Sequence, residues 1–357
     1  TPPASVHEMT ASSMALLMIL SPAKTLDFSR ALPPLPREPT VPDCCPAKTQ
    51  ELAAALRRLP PPALGKLLGV SGRLAAENHE RYQEFQGGEA GRPCVFTYDG
   101  PAFQGIDAAT VTQEALEYMQ DNLRILSGLY GALRPLDRIE AYRLEMITQG
   151  VLPGAPKMNE FWREDVTKSV ASTLEERPED ARVLVNLASD AYAKSVDTAA
   201  LPEGTRVIKC VFHDEGRVVT VFAKRARGLM VRHLCVVGAS SVDDICSFDA
   251  EGYQLKDVSA DGNTIVFDRP ASRRPPPARP RKAEAKTGVK SEAKTGGKSE
   301  AKAKKTGAGS KPKRAAASSR KRTTRSRQAT AEETATGAED EAQEKKPKRR
   351  RSNRKSS

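Results

Sequence analysis

The chain has 357 residues, 29% of them charged and 5% aromatic, with a formal net charge of +12. The charge is uneven: from Ala271 onward 28 Lys and Arg stand against 9 Asp and Glu, a balance of +19, whereas the preceding residues hold 29 against 36, a balance of −7. A globally basic domain is thereby excluded, so any anion-binding surface on the globular part must be a local patch. No run approaches the roughly 20 apolar residues of a membrane helix. The six cysteines (Cys44, Cys45, Cys94, Cys210, Cys235, Cys246) have no CxxC spacing, which argues against a zinc site or a disulfide framework and for a reducing compartment.

Residues 1–14 read as a disordered leader. Ala15 to Leu20 is apolar on both faces, as a central strand requires. It is too short, and lacks the basic flank, for a signal peptide. Ser21-Pro22-Ala23-Lys24 ends it. Ser-x-x-Lys is the spacing of a penicillin-binding nucleophile, but Pro22 and Thr25-Leu26-Asp27 read as loop and not as the opening of a buried helix. Lys24 is the better candidate to hold a phosphate or an internal carboxylate. Leu32 to Pro46 is a proline-rich linker, and Thr49 to Leu59 is a helix ended by three prolines. Residues 63–85 read as two helices joined by Gly69-Val70-Ser71. The pattern L-x-G-V-S-x-x-x-A from Leu67 to Ala75 resembles the helix-hairpin-helix of DNA-repair proteins, in which main-chain N–H groups cup a phosphate at a helix start. Lys66 and Arg73 flank the turn. Ser71 stands where that motif prefers a second glycine, and a plain helical hairpin with a glycine C-cap is the alternative.

Cys94 to Tyr98 (CVFTY) reads as a strand ending at Asp99-Gly100, where Asp99 is either a site carboxylate or a turn residue bonded to its own backbone. Thr110 with Gln113 reads as a capping box, opening a helix with Leu116, Met119, Leu123 and Leu126 at helical spacing. Leu126 to Met146, LSGLYGALRPLDRIEAYRLEM, follows. It brackets Leu129-Tyr130 with glycines and crowds Asp137, Arg138, Glu140, Arg143 and Glu145 together. Such a path is either a fixed functional loop or a buried ion-pair strut. Because its leucines want burial, Arg134 and Arg143 are expected to converge on one cleft with Lys24, oriented by Glu145 or Asp137. Phe161-Trp162 opens a helix through Leu174. Val183 to Leu187 is a buried strand leading to Asp190 and a helix bearing Tyr192 and Lys194. Val207 to Phe212 and Arg217 to Ala223 alternate and read as a hairpin. Lys224, Arg225, Arg227 and Arg232 then crowd basic charge at a helix start, where the dipole disfavours it. An anionic partner would explain that. Tyr253 to Leu255 and Thr264 to Phe267 form a last hairpin. From Ala271 the chain is a low-complexity Lys/Ala/Gly/Ser repeat with almost no apolar side chain, expected to be disordered and to dominate non-specific nucleic-acid affinity. KKPKRRR near its end reads as a nucleic-acid clamp, or as a nuclear-import patch in a nucleated cell.

The central stretch resembles the signature of the YaaA family, the bacterial peroxide-stress proteins. Four others agree in order: LSPAKTLDF (Leu20 to Phe28), VNLASDAYAKSV (Val185 to Val196), VIKCVFHDEG (Val207 to Gly216) and FAKRARGLM (Phe222 to Met230). The resemblance runs from about Leu16 to Asp268. It implies one compact domain with a positively charged cleft, DNA binding, and protection against hydrogen peroxide in the cytosol.

The expected fold is α+β, or mixed α/β: a single domain over residues 15–270 with a central mixed sheet, surrounding helices and the hairpin-like element. The expected function is binding of duplex or branched DNA through phosphates, without base readout. Lys24, Lys66, Gly69, Val70, Ser71, Arg73, Arg134, Arg143, Lys194, Lys209, Lys224, Arg225 and Arg227 are the candidate contacts. Few aromatic residues accompany them, so base stacking is not indicated. The alternative is an enzyme acting on DNA or a small phosphorylated compound, with Lys24, Asp99, Glu145 and Asp190 around one cleft, since lysine beside carboxylates suits acid–base or imine chemistry. Four histidines without acid–His spacing argue against iron handling. No metal, cofactor or membrane partner is indicated.

Overall fold

The computed structural model describes residues 15–276. The expectations for the leader and for the tail from 277 onward lie outside these residues. Within them the chain is a compact mixed α/β domain whose sheet has seven strands. Five are mutually parallel: β1 (Leu17–Leu20), β3 (Leu123–Ser127), β6 (Val183–Leu187), β7 (Arg206–Asp214) and β9 (Thr264–Arg269). Antiparallel β4 (Gly131–Leu133) and β8 (Gln254–Val258) close the edges, giving the order β4-β3-β1-β6-β7-β9-β8. A small ribbon pairs β2 (Arg92–Pro93) with β5 (Arg138–Ile139). β1 and β3 are buried along their whole length, as strands covered on both faces must be.

Helices α5 (Pro101–Ile106) and α10 (Thr220–Val237) pack backbone to backbone. A Cβ at Gly228 would lie 1.8 Å from the Ala102 carbonyl oxygen, and one at Gly105 would lie 2.5 Å from that of Arg225, so only glycine permits the approach. On another flank, α1 (Pro46–Arg57), α2 (Pro61–Leu68) and α3 (Gly72–Glu84) bring Leu52, Leu56, Leu64 and Tyr82 into the core.

Three sequence expectations change. The helix expected to run from Gln113 to Leu126 stops at Asn122 as α6 (Gln113–Asn122), and Leu123 onward is β3. Leu123 and Leu126 fit a helical period, but both faces of that run are buried, and a short apolar run of this kind satisfies either template. The cap is Thr112, whose hydroxyl accepts from the Ala115 N–H at 3.2 Å, not Thr110. Cys94–Thr97 is one helical turn, α4, and only Tyr98 bridges to Leu26 as strand. Pro93 supplies the turn's start, and burial on all sides explains the apolar run. Finally, β7 has no hairpin partner after Gly216: a single bridge joins Asp214 to Arg217, and the chain enters α10 at Thr220. The partners of β7 are β6, the preceding strand, and β9, both parallel to it.

Candidate anion-binding surfaces

From β1 the chain crosses to β3 on one side and then to β6 on the other. The sheet therefore has a topological switch point between β1 and β6, where the loops leaving the carboxyl ends diverge and open sheets form their crevices. There the Ser189 N–H donates to Ser21 Oγ at 2.9 Å, and the two hydroxyls lie 3.2 Å apart. Lys24, in the loop leaving β1, holds its ammonium 2.9 Å from Glu145 Oε1. Arg143 Nη2 lies 3.7 Å from the same oxygen. Lys24 is 58% exposed, while Arg143 and Glu145 are 21% and 22% exposed. Beside them Lys209 pairs with Asp190 at 3.2 Å. Tyr192 lies within the same group, its phenol pushed up by burial and, secondarily, by the Glu145 charge. Beneath, the Tyr142 hydroxyl bonds to those of Tyr98 (2.6 Å) and Ser127 (2.7 Å). Burial pushes its phenol up to about 12.

The second surface is the hairpin. Helix α2 ends in Gly69 with φ 63° and ψ 40°, a left-handed C-cap that glycine adopts without strain. A Cβ at Gly65 would lie 2.8 Å from that of Ala75, so α2 and α3 cross in direct contact. Outside the turn the space is open: a Cβ at Gly69 or Gly72 meets no atom within 4 Å. Lys66, Gly69, Ser71 and Arg73 are exposed, and Val70 is half-buried against the core. Ser71 occupies the N-cap of α3, but its side chain makes no cap bond, and the first turn carries no acid. The first N–H groups of α3 are thus left to solvent, at the positive end of the helix dipole.

The remaining candidates are placed differently. Arg134 does not join Lys24. It pairs with Asp43 at 3.0 Å and lies 3.6 Å from buried Asp137, whose carboxylate also takes the Arg134 N–H and the Thr40 hydroxyl. Burial raises the Asp137 pKa, and the surrounding donors oppose that. This half of the central stretch is a strut. Asp99 adjoins the Lys24 loop through Gly100, but its carboxylate is held by Arg30 at 2.7 Å. Arg225 is gripped by Glu251, and Arg232 is strapped to the carbonyls of Ile106 and Asp107. Of the four basic residues on α10, only Lys224 is exposed, while Arg227 is half-buried. Lys194 is exposed just after the short α9 (Asp190–Ala193).

Two features gave no sequence signal. Tyr82 of α3 donates its hydroxyl hydrogen to the Arg143 carbonyl at 2.9 Å. Asp214 and Arg269, register partners at the ends of β7 and β9, form a buried ion pair at 2.9 Å, with the Tyr253 hydroxyl on the second carboxylate oxygen.

The sequence model of the family described as "Peroxide stress protein YaaA" matches residues 16–258. The chain belongs to this family. The UPF0246 protein of Laribacter hongkongensis is 39% identical over 265 residues, 71% of this chain and 99% of that protein. That of Chromobacterium violaceum is 40% identical over 261 residues, again 71% and 99%. That of Flavobacterium johnsoniae is 37% identical over 257 residues, with the same two shares. Membership supports a stress-related role. Four of the five signature stretches of the YaaA resemblance hold these groups: Lys24 follows β1, Arg143 and Glu145 follow β5, Asp190 follows β6, and Lys209 lies within β7. Among the described residues no helix is long and apolar enough to cross a membrane.

Proposed function

We propose that this chain is a DNA-binding protein of the hydrogen peroxide stress response that grips phosphates through the α2–α3 hairpin and the cleft around Lys24 and Arg143. The observation that carries this reading is the hairpin. A left-handed glycine turn, open space outside it, unclaimed N–H groups at the start of a 13-residue helix, and two exposed cations form a phosphate cradle. Gly72 and Tyr82 are ten residues apart on one helix, about 15 Å at 1.5 Å per residue. Tyr82 touches the Arg143 segment, so one nucleic-acid strand could meet both surfaces across about four or five nucleotides at 3.4 Å each. Among the described residues no base-reading element is evident, and the partner we propose is duplex or branched DNA regardless of sequence.

The test is Gly72→Glu. Gly72 has room for a side chain and no left-handed backbone, and an acid in the first turn favours the helix dipole. The variant should keep or raise the melting temperature while losing most duplex affinity. Gly69→Val is a poorer probe, because a β-branched residue at φ 63° is strained whatever its effect on DNA. Unchanged affinity in folded Gly72→Glu would remove the hairpin from the interface.

One observation favours a second, catalytic reading of the cleft: Lys24 and Glu145 are the amine and carboxylate that meet at the open end of the parallel sheet. If Lys24 forms an imine with an aldehyde in damaged DNA, borohydride should leave a stable protein–DNA adduct that Lys24→Met abolishes. Absence of an adduct leaves binding alone.

A further inference from the structure

We infer that Lys24 and Arg143 form an oxyanion subsite which the chain fills with its own carboxylate, Glu145, and which a DNA phosphate enters by displacing it. The inference rests on the DNA-binding reading and adds to it a competitor built into the site.

Both cations approach one atom. Glu145 Oε1 lies 2.9 Å from the Lys24 ammonium and 3.7 Å from Arg143 Nη2, where one oxygen of a bound phosphate would sit. Arg143 is also unfinished compared with the ion-paired Arg37, Arg225 and Arg269, a condition it shares with Arg138, whose Nε is likewise buried without an acceptor. Arg37 bonds two carboxylates, Arg225 takes Glu251 through two nitrogens, and Arg269 is locked on Asp214. The Arg143 guanidinium makes no hydrogen bond among the described residues. Its Nη2 contact is too long for one, and its Nε is buried without an acceptor. A planar fork with unused donors beside an exposed ammonium suits a phosphate better than a single carboxylate oxygen.

Displacement is mechanically simple. The Glu145 backbone is fixed, its carbonyl accepting from the Thr148 N–H at 3.0 Å, so only the side chain has to turn. All three groups reach solvent, and partly exposed ion pairs are weak. One carboxylate against two cations also leaves a net positive charge to attract a polyanion while the pair is held in order.

Glu145→Gln keeps the shape and removes the charge. In the full chain it should tighten duplex binding about threefold to tenfold, with circular dichroism unchanged. Losing any negative charge near DNA helps somewhat, so the decisive step is to repeat the substitution in a Lys24→Met, Arg143→Met background. There Glu145→Gln should change affinity by less than about twofold. Equal tightening in both backgrounds, or none in the first, would overturn the inference. A second readout is independent of DNA. Inorganic phosphate should shift the Arg143 Nε–H resonance, and half-saturate at lower concentration in Glu145→Gln. A resonance insensitive to phosphate in both proteins also overturns the subsite. A shift without any duplex binding would retain the subsite and refute the DNA reading instead.

Discussion

The hydroxyl of Tyr82, on the second helix of the hairpin, donates to the backbone carbonyl of Arg143, in the loop that shapes the cleft, at 2.9 Å. Tyr82 is fully buried, so that bond lies in the core and joins the two candidate surfaces through one rigid helix. Tyr82→Phe leaves the ring and strands a carbonyl. It should cost about 1–3 kcal/mol in chemical denaturation and weaken duplex binding by the protein that remains folded. Equal stability with full binding would mean that the two surfaces act independently.

Arg134 and Arg143, nine residues apart in one charged stretch, should behave oppositely. Arg134→Ala leaves Asp137 buried beside one fewer cation, and because Arg134 is one-third exposed the loss is discounted to about 1–2 kcal/mol. Duplex affinity should hardly move. Arg143→Ala should lower affinity several-fold and change stability by no more than about 0.5 kcal/mol. Thermal unfolding and a binding isotherm on each variant decide it. The reverse pattern would exchange the strut and the site.

All seven tyrosines are shifted upward, with burial as the leading cause in each. A group whose folded pKa exceeds its unfolded value of about 10 supplies stability that is complete below that pH and lost as pH rises through the folded value. Tyr142, at about 12, marks the window as roughly pH 10 to 12. Phenolate absorbance should therefore stay low past pH 10 and then rise together with loss of the far-ultraviolet helix signal. Tyrosines ionising near pH 10 in folded protein would contradict the buried network.

The Asp214–Arg269 pair is exposed by only 1% and 3%. Asp214→Asn should cost about 3–5 kcal/mol, because it leaves a buried guanidinium without its counter-charge. Urea unfolding measures it. A loss below about 1 kcal/mol would show that Glu251, already 3.6 Å from the Arg269 guanidinium, takes over as its counter-charge.

Much of the architecture was legible from short apolar runs. β1 is continuous in Leu, Met and Ile, β6 is Val and Leu apart from Asn186, and the hairpin announced itself through Gly69 after a leucine-faced helix. β3 was not, because Leu123 and Leu126 satisfy a helical period as well as a buried strand. The α10 start was not, because Arg217 to Ala223 reads as an alternating strand although the helix begins at Thr220. Site residues were legible as chemical types and not as partners. The sequence shows that Arg134 and Arg143 both need counter-charges, but which carboxylate each meets depends on contacts such as Arg134 with Asp43, made by residues 91 apart.

Residues 277–357 carry 26 Lys and Arg against 9 Asp and Glu. Removing them should flatten the dependence of duplex affinity on salt by several units of log K against log[salt], since each phosphate contact contributes about 0.9. An unchanged slope would place the salt-sensitive contacts on the domain.

The most direct test of the central claim is that same slope measured on the domain alone, residues 15–276, before and after Lys66→Met with Arg73→Met. These exposed side chains make no ion pair among the described residues, so their loss should leave the melting temperature in place. If the hairpin cradles phosphate, the slope should fall by about two units and affinity should drop alike for every duplex sequence. Identical slope and affinity in parent and variant would contradict the claim.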